Sequence, residues 1–171
     1  MRGRQQAFRF RTHGGPRPGS GRPAGGIRSI RHGKRIRVNA SQPIHVTCRV
    51  ARDVGNLRRD VVLAALRVAT TVVGRHDDLR IVHVSIQRTH LHLLVEASSG
   101  AALTRGVSSF MISAARRINR AIRPGGGRVF DRYHARALAT PREVRNCIAY
   151  VLNNWRHHGE DRNRRGLVDK Y

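Results

Sequence analysis

The sequence predicts an α+β protein with a ferredoxin-like core, in which two helices cover one face of a four-stranded sheet. Alternating apolar and polar residues mark short strands, and apolar residues at three- and four-residue steps mark amphipathic helices. The two kinds of segment follow each other in the order β-α-β-β-α-β, with one additional helix at the C-terminal end. The 171 residues suffice for one such domain with tails, but not comfortably for two.

The first half of the domain should fold as a strand, a helix and the first strand of a hairpin. Residues 44–50 alternate and form the first strand. Asn56 can cap the first helix, which runs to about Val73. The apolar residues at helical spacing are Leu57, Val61, Ala65, Val68, Ala69 and Val72. The second strand covers residues 79–87, and its core-facing residues are Val82, Val84 and Ile86.

The third strand, which closes the hairpin after a tight turn at residues 88–89, carries two histidines on one face. Period two places Leu91, Leu93 and Val95 toward the core, and His90, His92, Leu94 and Glu96 on the other side. Side chains two apart on a strand stand roughly 7 Å apart and can converge on one cation. His90 and His92 are therefore a candidate metal site, and two solvent-facing histidines are the alternative.

The second half of the domain should contain two helices separated by the fourth strand. Residues 102–122 form an amphipathic helix with a regular apolar stripe. The stripe consists of Leu103, Val107, Phe110, Ala114, Ile118 and Ile122. After a Pro-Gly-Gly-Gly break, residues 128–138 form the fourth strand, with Phe130 and Tyr133 as packing groups. Thr140 caps a third helix that begins at Pro141 and ends near residue 157.

The third helix carries two stripes on different sides. One is apolar and consists of Val144, Ile148, Val151 and Trp155; the other consists of Asn146, Tyr150, Asn154 and His157. Residues four apart on a helix are neighbours, so Tyr150 and Asn154 could reach one point together. If this helix lies over the open sheet face, that point is the histidine pair. A packing tyrosine and a surface amide are the alternatives.

The charge of the chain favours a polyanionic partner. Lys and Arg number 34 against 10 Asp and Glu, which gives a formal net charge of +24. Such a field attracts polyanions, and the planar guanidinium suits phosphate, so nucleic acid is the expected partner. No apolar run approaches a membrane span, and no signal peptide is visible. Cys48 and Cys147 are isolated, which fits a reducing, cytoplasmic setting and no disulfide framework.

The two ends of the chain differ from the domain in composition. Residues 1–43 contain no acidic residue and combine arginine with glycine and proline, which predicts a disordered basic arm. Within it, residues 16–23 resemble an AT-hook, with Arg17 and Arg22 as DNA contacts. A solvated tail that adds nonspecific phosphate affinity is the alternative. Residues 160–171 form a polar C-terminal tail.

The histidine strand and the third helix together resemble a known group of proteins. The His-Leu-His of residues 90–92 is similar to the His-hydrophobe-His motif of the HUH endonucleases. Residues 144–154 resemble the Tyr-Ile-x-x-Asn helix of REP-associated tyrosine transposases, relatives of the single-tyrosine insertion-sequence transposases. The resemblance covers residues 44–159, which would form one transposase domain.

The resemblance implies a ferredoxin-like, RRM-related domain that cleaves and rejoins single-stranded DNA near a hairpin or palindrome. Tyr150 would become joined to a DNA 5′-phosphate and free a 3′-hydroxyl that later reverses the reaction. His90, His92 and Asn154 would hold Mg²⁺ or Mn²⁺. The resemblance further implies a bacterial, nucleoid-associated protein that acts as a monomer or a homodimer.

The sequence departs from the family pattern at two places. Many members carry Pro-Asn before the first histidine, where this chain has Arg-Thr at residues 88–89. Many also carry proline after the helix asparagine, where this chain has Trp155. Asn153 lies beside Asn154, and the four-residue step from Tyr150 favours Asn154 as the third ligand. Neither departure removes a reacting group.

Two other functions remain open from the sequence. A ferredoxin-like sheet with a polar open face is also the platform of RRM proteins, which bind nucleic acid without catalysis. A metal-dependent hydrolase with an activated water would use Glu96 as a carboxylate ligand, although an exposed residue paired with a nearby arginine is the favoured interpretation of Glu96. The candidate phosphate contacts are Arg49, Arg88, Arg116, Arg117 and Arg120, and a solvated basic face is their alternative.

Overall fold

The structure, a computed structural model, describes residues 36–157, with side chains as far as Asn153. Within this range the helices and strands follow the predicted order. They are β1 (Ile44–Arg49), α1 (Asp60–Val73), β2 (Leu79–Ile86), β3 (His90–Ala97), α2 (Gly100–Ile122), β4 (His134–Ala137) and α3 (Pro141–His157), with a short 3-10 helix at Arg52–Val54 before α1. The predicted DNA contacts Arg17 and Arg22, and the C-terminal tail, lie outside the described residues.

The four strands form one antiparallel sheet in the order β2-β3-β1-β4. The α+β class and the ferredoxin-like arrangement are confirmed. β1 and β3 lie in the middle, where Thr47 is opposite His92 and Arg49 is opposite His90. Because β3 has a partner strand on each side, the histidine strand lies at the centre of the sheet.

The main core lies between the sheet and the pair α1 and α2. Leu91, Leu93 and Val95 of β3 are fully buried in it, as the alternation predicts. From α2, the predicted residues Leu103, Val107, Phe110, Ala114 and Ile118 are all buried. α2 also passes close to β2, because a Cβ atom at Gly106 would lie 2.6 Å from Leu79 Cδ1. None of the helices in the described part of the chain is long and apolar enough to cross a membrane.

A second, smaller core lies on the opposite face of the sheet, beneath α3. It consists of Leu94 from β3, Leu138, and Cys147 and Val151 from α3, with Val144 packed against it. The sheet therefore has helices on both faces. α3 covers the face that carries the histidines, so Tyr150 and the histidines can share one site.

The core-facing residues of α1 differ from those predicted. Val61 and Val68 are 43% and 46% exposed, whereas Val62 and Leu66 are buried. The helix also begins later than expected, since Arg59 is its N-cap residue. Asn56, the predicted cap, instead accepts a hydrogen bond from the backbone N–H of Arg58 at 2.9 Å in the preceding turn.

Four smaller differences concern strands, one helix residue and the domain boundary. Val82, predicted to face the core, lies at a register shift of β2 and is 49% exposed. β4 is shorter than predicted, although Phe130 still forms an isolated bridge with Val50. Ile148 of α3, predicted to be in the apolar stripe, is 39% exposed, and Cys147 is buried in the small core instead. Ile36 and Val38, inside the predicted arm, pack against the main core.

Candidate functional site

His90 and His92 lie side by side on the α3 face of β3. Their ring centroids are 4.8 Å apart and their planes are perpendicular. His92 is only 4% exposed, because it faces Thr47 of β1 on one side and Ser85 of β2 on the other. His90, the first residue of β3, is half-buried. The strand thus presents one enclosed imidazole and one at the mouth of the site.

His90 and His92 together supply part of the ligand set that a divalent cation requires. Two adjacent imidazoles supply two nitrogen ligands and leave the remaining coordination positions open, as catalytic metal sites require. Among residues 36–153, however, no group of three or more His, Cys, Asp or Glu side chains is placed to hold a metal ion. A further protein ligand would have to be an amide or phenol oxygen. Asn154 is the predicted candidate, and its side chain lies beyond the described ones.

A third histidine, His45 of β1, completes the histidine cluster, by which we mean His45, His90 and His92. Nε2 of His45 lies 3.0 Å from Nδ1 of His92, and Oγ1 of Thr47 lies 3.3 Å from the same nitrogen. The two rings stack with centroids 5.0 Å apart. His45 could not be assigned to the site from the sequence, because its contact with His92 depends on a strand register that only the structure gives.

The surroundings of His45 favour its neutral form. Burial lowers the pKa of His45, and the nearby charges of Arg136 and His134 lower it further. A neutral imidazole has one nitrogen that donates and one that accepts. A cation can bind Nε2 of His92 only when Nδ1 carries the proton, and Nδ1 then donates to His45. The cluster therefore contains a hydrogen bond of the kind that orients metal-binding histidines in proteins.

Tyr150 of α3 lies against the histidine cluster. Its ring centroid is 5.4 Å from that of His92 and 6.4 Å from that of His45, with edge-to-face planes in both cases. The adjacent Val151 is buried in the small core, which directs Tyr150 to this position. Tyr150 nevertheless remains 44% exposed. A phenol beside imidazoles and open to solvent is accessible to a polymeric substrate.

A capping box holds the start of α3. The backbone N–H of Glu143 donates to Oγ1 of Thr140 at 3.2 Å, which confirms Thr140 as the cap. The Glu143 carboxylate accepts from the backbone N–H groups of Ala139 and Thr140 at 2.7 and 3.2 Å, and it pairs with Arg136 of β4. These hydrogen bonds, that of Ala139 first, and the Arg136 guanidinium hold the pKa of Glu143 below its usual range. The helix that carries Tyr150 is thus fixed to the sheet.

The remaining predicted residues are distributed over both sides of the sheet. Arg49, opposite His90, and Arg88, in the turn before β3, are exposed near the histidine cluster. The three arginines of α2, Arg116, Arg117 and Arg120, belong to the helix layer on the far side of the sheet. Arg117 donates to Oγ of Ser113 at 3.0 Å, within its own helix.

Two residues with alternative roles have identified contacts. Glu96, the possible carboxylate ligand of a hydrolase, forms an ion pair with Arg80 at 2.5 Å, as the favoured interpretation expected. Asn153, the neighbour of the predicted ligand Asn154, donates from Nδ2 to the carbonyl oxygen of Ala149 at 2.8 Å. Its amide is exposed and turned back onto its own helix.

The fold has a counterpart among solved structures. The chain has the fold of a REP-associated tyrosine transposase. The structure of that protein bound to a REP hairpin superposes with a TM-score of 0.56 over 76% of this chain and 75% of that chain, at 18% sequence identity. At this level of identity the likeness concerns the fold.

Two other solved structures superpose less well. A candidate transposase from Deinococcus radiodurans R1 is 19% identical, with a TM-score of 0.45 over 74% of this chain and 96% of that one. A bacterial tRNA(His) guanylyltransferase-like protein in complex with ATP is 16% identical, with a TM-score of 0.46 over 70% of this chain and 61% of that one. No family model and no curated protein sequence matches the chain.

Proposed function

We propose that this protein is a tyrosine transposase that cleaves and rejoins single-stranded DNA, with Tyr150 as the nucleophile. The observation that carries the proposal is the position of the Tyr150 ring, 5.4 Å from the ring of His92 and still open to solvent. The fold shared with a REP-associated tyrosine transposase supports it. So does the net charge of +24, which favours binding of a polyanion.

The proposed reaction exchanges one phosphate ester for another. The phenol oxygen of Tyr150 attacks the phosphorus of a DNA phosphodiester, and its proton passes to solvent. The bond from phosphorus to the 3′-oxygen breaks, and the released 3′-oxygen takes up a proton. Tyr150 is then joined to the 5′-phosphate. Attack by a 3′-hydroxyl reverses these steps, so rejoining needs no nucleoside triphosphate.

A divalent cation, Mg²⁺ or Mn²⁺, would be bound by His90 and His92, with Asn154 as the third protein ligand. When bound, such an ion polarises the phosphodiester and stabilises the negative charge that develops on its oxygens. His45 and Thr47 would hold the ring of His92 so that Nε2 is available as a ligand. α3 would bring Tyr150 to the same phosphate.

The proposed substrate is single-stranded DNA next to a hairpin. The neighbour with the shared fold is bound to a REP hairpin, and a hairpin would likewise place single-stranded DNA at Tyr150 in this protein. Arg49 and Arg88 lie close enough to the histidine cluster to contact phosphates beside the reacting one. Arg116, Arg117 and Arg120, on the opposite layer, would contact a different part of the DNA. The four described strands contain no Phe, Tyr or Trp, so base stacking on the sheet, which RRM platforms use, is not favoured.

The test is a search for a covalent adduct. The full-length protein is incubated with single-stranded hairpin DNAs from its own flanking sequence and Mn²⁺, and the products are separated on a denaturing gel. The wild type and a Tyr133→Phe control, which removes a phenol that packs against the main core, should both form a protein-DNA adduct. Tyr150→Phe should form none, while its DNA affinity stays within about twofold because no phosphate contact is removed.

Two results would contradict the proposal. Adduct formation by Tyr150→Phe would show that another nucleophile acts. Tight binding of hairpins by the wild type without any adduct would instead favour the non-catalytic nucleic-acid binder.

A further inference from the structure

A cavity of about 290 Å³ opens at the end of the sheet where β1 ends and β3 begins. Val50 and Ala51 supply apolar surface, Arg52 and Arg88 supply two cations, and Asn56 and Thr89 supply an amide and a hydroxyl. Pockets that bind small ligands combine apolar walls with a few polar groups in this way. The volume is at the lower end for such pockets, about 300 Å³, and suits a single small group rather than a cofactor.

Backbone hydrogen bonds fix the walls of this cavity. The N–H of Val50 donates to the carbonyl oxygen of Thr89 at 3.0 Å, and the N–H of Leu57 donates to that of Arg88 at 2.9 Å. These two bonds join the segment after β1 to the β2–β3 turn. The side of the cavity formed by Gly55 is open, because this residue has no side chain and a Cβ built on it would meet nothing within 4 Å. The cavity is therefore preformed and accessible.

The cavity adjoins the histidine cluster. Oγ1 of Thr89, in its lining, lies 3.2 Å from Nδ1 of His90. Arg49, directly before the cavity residue Val50, is opposite His90 in the sheet. A DNA strand with one phosphate at Tyr150 and the histidines would pass this opening with a neighbouring nucleotide.

We propose that the cavity binds one nucleotide of the substrate strand and selects its base. The inference rests on the proposed function and deepens it, since it names the part of the chain that reads DNA sequence. The base would pack on Val50 and Ala51, and the guanidinium of Arg52 would contact its phosphate. Asn56 has its Oδ1 bound to the N–H of Arg58, so its NH₂ group would donate to an acceptor on the base edge.

The experiment measures base preference in binding, without cleavage. Full-length protein carrying Tyr150→Phe is mixed with a library of hairpin DNAs that have randomised single-stranded tails, and the bound molecules are sequenced. This parent should prefer one base at one tail position by about tenfold, the scale of a single base contact. Ala51→Phe, which fills the cavity, should remove the preference at that position and leave the other positions unchanged.

Three further variants make the result specific. Asn56→Ala should weaken the same single preference, whereas Arg52→Gln should lower the affinity for all tails about equally because it removes a phosphate contact. Ala64→Phe adds the same bulk at an exposed position of α1 and should change nothing. An unaltered preference in Ala51→Phe, or no preference in the parent at any position, overturns the inference. So does loss of all binding by an Ala51→Phe variant that still unfolds cooperatively. None of these three results bears on whether the wild type forms a covalent DNA adduct, so the proposed function is tested independently of the cavity.

Discussion

Nε2 of His45 lies 3.0 Å from Nδ1 of His92, and the two rings are stacked. The bond joins two central strands of the sheet on the face that α3 covers. Its direction bears on metal binding, because Nε2 of His92 can bind a cation only in the tautomer in which Nδ1 donates. The ring of Tyr150 lies edge-to-face with those of His45 and His92, at centroid distances of 6.4 and 5.4 Å. His45 is therefore a positioning residue for the proposed site.

Replacement of His45 should weaken metal binding without removing a ligand. We expect His45→Ala to lower Mn²⁺ affinity by about 10- to 100-fold, the usual effect of losing a group that orients a metal-binding histidine. His45→Gln should recover most of this loss, because its amide oxygen can accept a hydrogen bond from the Nδ1–H of His92. Calorimetric titration of the full-length protein with Mn²⁺ measures the affinity, and the ¹⁵N shifts of the His92 ring report its tautomer without metal.

The matched control is His76→Ala. His76 is hydrogen-bonded to Ser109 at 3.3 Å, outside the histidine cluster, so its loss should leave Mn²⁺ affinity unchanged. Wild-type affinity in His45→Ala, together with an unchanged His92 tautomer, would show that the 3.0 Å contact has no orienting role.

The sequence predicted correctly the helices and strands whose apolar residues lie on a single face. α2 has a clear apolar stripe, and in β3 Leu91, Leu93 and Val95 alternate with His90 and His92, so the two faces of that strand were assigned correctly. α1 was harder, because valine, leucine and alanine occur on most of its sides. Only packing against α2 and the sheet selects Val62 and Leu66 over Val61 and Val68.

The features that sequence reasoning missed depend on contacts between distant segments. The exposed position of Val82 follows from the register shift with β3, which alternation within β2 cannot predict. The contact of His45 with His92 requires both the strand order and the register that places Thr47 opposite His92. The approach of Tyr150 to the histidines was predictable from helical spacing only on the condition that α3 lies over that face.

Leu93 and Leu94 are adjacent in β3 but belong to the two different cores. Leu93→Ala should lower the free energy of unfolding by about 2–5 kcal/mol, as for other buried leucines in a main core. Leu94→Ala should act mainly on the docking of α3, because its cluster is small and lies beneath that helix. Leu94→Ala should therefore reduce adduct formation strongly, although it lowers the free energy of global unfolding less than Leu93→Ala does.

The reactivity of the two buried cysteines can distinguish local opening of α3 from global unfolding. Burial raises the pKa of Cys48 to about 12 and also raises that of Cys147, so both thiols should react slowly with iodoacetamide at pH 8. Leu94→Ala should accelerate labelling of Cys147 in α3 by about tenfold for each 1.4 kcal/mol lost from helix docking, and leave Cys48 in β1 protected. Leu93→Ala should expose both through global unfolding. Equal acceleration of both cysteines by Leu94→Ala would mean that α3 does not open separately.

Glu143 should make the docking of α3 dependent on pH. Hydrogen bonds from the backbone, that of Ala139 first, and the Arg136 guanidinium lower its pKa in the folded protein. A carboxylate with a lowered folded pKa contributes stability that is present above its ordinary pKa and lost as pH falls through the lower, folded value. Glu143→Ala should therefore lower the thermal midpoint at pH 7, and the gap from wild type should close as the pH falls below the ordinary pKa of glutamate.

Glu143→Gln distinguishes the cap from the ion pair. Glutamine can still accept from the N–H groups of Ala139 and Thr140, but it cannot pair with Arg136 as a charge. Because the Arg136 side chain is 63% exposed, water and salt screen the pair, and the cap should contribute the larger part. Glu143→Gln should thus stay near the wild-type midpoint at pH 7 and vary less with pH. A midpoint as low as that of Glu143→Ala would assign the stabilisation to the ion pair instead.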